Sequence, residues 1–102
     1  MVKPSKRIIQ DAGQIAIDFP ETFYMGSFGK NDEFEARAEN DGLMIKLIRK
    51  HGEKRQAEVH LHHQLLSDIL TEWAASLKDE PPMNKTHRKT LIAALKKVEA
   101  AI

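Results

Sequence analysis

Glu58-Val59-His60-Leu61-His62-His63-Gln64-Leu65-Leu66-Ser67-Asp68-Ile69-Leu70 decides the fold, because the spacing of its apolar residues changes midway. Up to Leu61 the period is two. Ala57, Val59 and Leu61 alternate with Glu58, His60 and His62, as in a strand with one buried face. From Leu65 onward the period is about 3.6, with Leu66, Ile69, Leu70, Trp73 and Leu77 falling on one helical stripe. The spacing therefore predicts a strand over 55–61 that turns directly into a helix over 63–78.

Upstream of this corner the alternation continues. Phe34, Ala36 and Ala38 share one face of a strand, and Glu35, Arg37 and Glu39 share the other. Asn40-Asp41-Gly42 is hairpin chemistry, since Asn and Gly tolerate positive φ. Leu43, Ile45 and Leu47 then share a face. Two hairpin registers keep the apolar faces together, with Ala38 opposite either Ile45 or Leu43. The first sets Arg37 against Lys46 and the second sets Glu35 against Lys46. Like charges directly opposite are destabilising, which favours the second. A loop over Lys50-His51-Gly52-Glu53-Lys54 leads to the next strand, where Leu47 faces Ala57, Ile45 faces Val59, Lys46 faces Glu58 and Met44 faces His60.

Toward the N-terminus, Ile15, Ile17 and Phe19 alternate as a short strand stopped by Pro20. Residues 22–25 form a further strand candidate, closed by a Gly26-Ser27-Phe28-Gly29 loop. Residues 1–14 read as a flexible lead-in, with Ile8-Ile9 too short to define an element. Downstream, Asp79-Glu80-Pro81-Pro82 stops the first helix. Asn84 is an N-cap for a second helix over 85–101, with Leu91, Leu95, Val98 and Ile102 as its apolar stripe. The expected fold is a single α+β domain over 15–102. It is an antiparallel β-meander of three to five strands, followed by two C-terminal helices packed on one face.

At 102 residues, with 41% apolar and 30% charged residues, the composition is that of an ordinary globular domain and argues against wholesale disorder. The absence of cysteine excludes disulfides, thiolate metal sites and cysteine nucleophiles. No apolar run approaches the ~18 residues of a membrane span, and the N-terminus lacks the apolar core of a secretory signal. A cytoplasmic protein with no membrane association is expected. Charge is unevenly placed. Residues 1–10 carry net +3, residues 84–102 net +4, and residues 11–83 net −6.

Three groups of residues are candidates for function. His60 and His62 point to the same side of a strand, roughly 6.5–7 Å apart, with Glu58 on the same face. Such a set could ligate a metal and support a metal-dependent enzyme, with Glu58 as the third ligand, although no second ligand pair stands at familiar spacing. Lys85, Lys89 and Lys96 cluster on one side of the second helix with Arg88 on the far side of Ile92, a basic stripe suited to nucleic-acid phosphates. Arg37, Lys46, Glu58 and His60 form the charged outer face of the meander, a candidate protein-binding surface. Gly26-Ser27-Phe28-Gly29-Lys30 lacks the glycine spacing of a phosphate loop. No carboxylate pair has an apolar setting that would raise its pKa for acid–base work. These readings point to a small non-catalytic module that binds protein, with no cofactor. Symmetric dimers are the commonest oligomers, so a homodimer is expected.

Overall fold

The computed structural model of the protein describes residues 6–18, 20–50, 52–53 and 55–102. Phe19, which the spacing places in a strand stopped by Pro20, and His51 and Lys54, which it places in the loop over 50–54, lie outside the described residues, as do residues 1–5. The chain is α+β. Six antiparallel strands precede two helices: β1 (Arg7–Ile8), β2 (Gly13–Asp18), β3 (Phe23–Phe28), β4 (Glu33–Glu39), β5 (Gly42–Arg49), β6 (Arg55–His62), α1 (His63–Leu77) and α2 (Lys85–Ala101). The contacts cluster into two compact units, Met1–Ile69 and Leu70–Ile102, which divide inside α1.

In the first unit, β1, β4, β5 and β6 form one sheet in that order, and β2 pairs with β3 in a second. The central meander adopts the register that avoids like charges. Ala38 pairs with Leu43 and Glu35 with Lys46. Across the next ladder Lys46 pairs with Glu58, Met44 with His60, and Leu47 with Ala57. One face therefore carries Phe34, Ala36, Ala38, Leu43, Ile45, Leu47, Ala57, Val59 and Leu61. The hairpin β2–β3 approaches this face at Gly13, where an added Cβ would lie 3.8 Å from Leu47 Cδ1.

The hairpin turn corrects one detail. Asn40 and Asp41 join β4 to β5 without either adopting positive φ, and neither does Gly42. Gly42 is required for a different reason. A Cβ there would overlap the carbonyl oxygen of Leu61 and sit 2.8 Å from His62 Cα. The strand-to-helix corner thus lies directly on the hairpin turn, and the His63 amide donates to the Asp41 carbonyl at 2.8 Å.

Two N-terminal expectations also change. Within the lead-in read over 1–14, Arg7–Ile8 pairs with Phe34 and Glu33 of β4, Ile9 is buried, and β2 begins at Gly13. The strand read over 22–25 runs on through Gly26 and Ser27 to Phe28, which is only 3% exposed. Gly26 lets the Phe28 ring lie close, since a Cβ would meet Phe28 Cε2 at 3.4 Å.

Between β3 and β4, Gly29–Asp32 closes a turn through an Asp32 amide to Gly29 carbonyl bond of 3.0 Å. Asn31 at its third position has φ 80°, as a type II turn requires. The buried Asp32 carboxylate accepts from the amides of Gly29 and Lys50, each at 2.8 Å. It ties this turn to the end of β5, and the Ile9 amide donates to its carbonyl at 2.7 Å.

The helices follow the expected spacing. α2 opens at Asn84, whose extended backbone and side-chain oxygen cap the His87 amide at 2.8 Å. Among the described residues, no helix is long and apolar enough to cross a membrane.

Candidate functional sites

The polar face of the β4–β5–β6 sheet gathers Arg37, Lys46, Glu58 and His60 into one array and adds two residues that the sequence reading missed, Glu35 and Glu39. Starting at one end, Arg37 Nη2 lies 3.8 Å from Glu39 Oε1. Glu39 Oε2 is 3.0 Å from His60 Nδ1, and His60 Nε2 is 3.0 Å from Glu58 Oε2. Glu58 Oε1 is 3.5 Å from Lys46 Nζ, which is 3.6 Å from Glu35 Oε2. Charge therefore alternates along six side chains from three strands. Beneath them Met44, paired with both Arg37 and His60, has no exposed surface. The signal for Glu39 was present: in the adopted register it is the diagonal neighbour of His60 across β5.

Both ring nitrogens of His60 face carboxylates. An ionised carboxylate only accepts, so each nitrogen must carry a proton for both bonds to form. The bonds to Glu58 and then Glu39 accordingly raise the His60 pKa above its ordinary value. In return, the His60 bond and then the Lys46 partner lower the pKa of Glu58. A protonated His60 makes the array neutral, with three cations and three anions.

This arrangement bears on the metal reading. A metal ligand must offer a nitrogen lone pair, and here both nitrogens of His60 are engaged, one of them by Glu58 itself. Among the described residues, no three His, Asp or Glu side chains are disposed to hold an ion, and Glu58, His60 and His62 form no such group.

The basic stripe lies where the spacing put it. Lys85, Arg88, Lys89 and Lys96 are all exposed on α2, and among the described residues none of them has an acidic partner.

A third feature belongs to the second unit. Leu70, Trp73, Leu77, Ile92 and Leu95 line an apolar groove of about 480 Å³ between the last two turns of α1 and α2, with Arg88 at its margin. Neither helix has a buried residue. The apolar stripes read from the spacing leave Leu70, Trp73, Leu77, Leu95 and Val98 between 38% and 56% exposed, and the neighbouring Ile92 is 36% exposed. Periodicity identified these faces but carried no signal that they stay open.

Comparison with protein-family models, curated proteins and solved structures finds no match to this chain.

Proposed function

We propose that the protein is a small, non-catalytic cytoplasmic module that acts by binding protein. The observation that carries this reading is the open apolar surface of α1 and α2, where Trp73, Leu77, Ile92 and Leu95 border a groove. Large apolar side chains grouped in this way mark interaction sites, whereas singly scattered ones do not. Aromatic anchors such as Trp73 also tend to dominate binding energy. The charged sheet face with Arg37, Lys46, Glu58 and His60 is a secondary surface. Its side chains already satisfy one another, so it would contribute orientation more than affinity.

The test is site-specific photo-crosslinking in cells, with a photoreactive residue replacing Trp73, Leu77 or Leu95 in turn. Protein adducts are expected at one or more of these positions, and adducts at none of them would overturn the reading.

A second reading is nucleic-acid binding by α2. It is favoured by the absence of acidic partners for Lys85, Arg88, Lys89 and Lys96 among the described residues. Phosphate binding of this kind weakens steeply with salt. Electrophoretic mobility with single-stranded and duplex DNA and RNA tests it, and the lack of any shift at low salt would sink it.

A further inference from the structure

We infer that the occupant of the α1–α2 groove is the same groove of a second copy of this chain. The arrangement is two-fold, with α1 of each copy beside α2 of the other. This inference rests on the protein-binding reading and names its partner.

The first argument is area. Leu70, Trp73, Leu77, Met83, Ile92, Leu95 and Val98 are each between 36% and 56% exposed, so together they leave a contiguous apolar patch of the few-hundred-Å² size that marks interaction sites. A polar rim around such a patch brings it to the ~800 Å² per partner of a standard stable interface. A two-fold contact is self-complementary, so one patch supplies both sides.

The second argument is charge. α1 carries Asp68 and Glu72 and no lysine or arginine, whereas α2 carries Lys85, Arg88, Lys89, Lys96 and Lys97 against Glu99 alone. Setting α1 beside the α2 of another copy brings opposite charges together twice. Setting α2 against α2 would bring two strongly basic helices together. An acidic partner would suit α2 but not α1, and a basic partner would suit α1 but not α2. A second copy suits both.

The experiment uses the full chain. Size-exclusion chromatography with light scattering, from sub-micromolar concentration upward, is expected to give a dimer mass at the higher concentrations. Leu95→Glu, which puts an anion into the groove, is expected to weaken association at least tenfold while far-UV circular dichroism is retained. Should Leu95→Glu lose its fold, cysteine cross-linking decides the matter, because the chain has no cysteine of its own. Copies with Glu72→Cys mixed with copies carrying Lys89→Cys should form the mixed disulfide in preference to either self-linked product. A wild-type chain that stays monomeric throughout, or a dimer indifferent to Leu95→Glu and without the mixed disulfide, overturns the inference. If the chain is monomeric and crosslinking at Trp73 captures a different protein, self-docking fails while the protein-binding reading survives. If there is neither dimer nor adduct, both fail.

Discussion

Replacing Gly42 with alanine tests the joint on which the first unit is built. The new methyl carbon would overlap the Leu61 carbonyl oxygen and approach His62 Cα to 2.8 Å. Both neighbours are backbone at the end of the β5–β6 ladder, where β6 passes into α1, so neither can swing aside as a side-chain tip would. Forcing an extra carbon into such a site costs about 1–3 kcal/mol. Moving the corner away also stretches the bond from the His63 amide to the Asp41 carbonyl, a net loss of about 1 kcal/mol. The expected destabilisation is about 2–4 kcal/mol from these two causes. For a unit of this size that corresponds to a fall of roughly 10–25 °C in melting temperature. The assay is thermal unfolding by circular dichroism, repeated in urea. Gly29→Ala is the control, because nothing lies within 4 Å of its added Cβ and its φ is not positive. That change should leave stability the same or raise it by about 0.4–1 kcal/mol through the unfolded chain. If Gly42→Ala melts with the wild type, the close approach of the corner to the hairpin turn is wrong.

Further expectations follow from other parts of the structure. Met44→Ala removes the most deeply buried side chain and should cost about 2–5 kcal/mol in urea unfolding, whereas Met44→Leu should cost less than about 1.5. Asp32→Ala leaves the amides of Gly29 and Lys50 without their carboxylate; a loss of about 3 kcal/mol or more is expected, with faster hydrogen exchange at those two amides. Asn84→Ala removes the α2 cap and should cost about 1 kcal/mol, read as faster exchange at the His87 amide, with Asn84→Asp restoring protection. The His60 pKa is raised above 6.5, so its stabilising contribution is complete below that pH and is lost as pH rises through the raised value. The Glu58 pKa is lowered from 4.5, so its contribution is complete above that pH and is lost as pH falls through the lowered value. The wild type should therefore gain most over His60→Gln between pH 4.5 and 6.5, and melting curves with a pH-independent gap between the two would contradict the pairing.

The meander was readable because its signals are local or lie across one turn. The charges of Glu35, Arg37 and Lys46 discriminate between two β4–β5 registers that the apolar residues alone leave equivalent, and the adopted pairing is the one they favour. The strand-to-helix switch was readable from period alone. β1 was not, because two residues carry no periodicity and their pairing with Phe34 and Glu33 spans a long loop of chain. Gly26 was misread as a loop residue because glycine usually interrupts strands, and here it makes room for a neighbouring ring. The array around His60 was half legible. Same-face parity put Glu35 and Glu39 on the face that carries Arg37, Lys46, Glu58 and His60, but it does not show the contact across β5 by which Glu39 reaches His60. Apolar spacing marked the inner faces of α1 and α2; it describes what a helix offers and not what covers it.

The position of β6 at the end of its sheet has a consequence for how the protein behaves at high concentration. One side of this eight-residue strand is laddered to β5, and among the described residues the other side has no hydrogen-bonded strand neighbour. A strand in that position is a template on which another chain can stack, and charged side chains are a common deterrent. Arg55, Glu58 and His60 serve as those deterrents here, and the last is charged only while its imidazole holds both protons. Alkaline conditions remove that charge and acid removes the neighbouring carboxylate's. Resistance to strand-on-strand aggregation is therefore expected to be greatest between pH 4.5 and 6.5, where both are ionised.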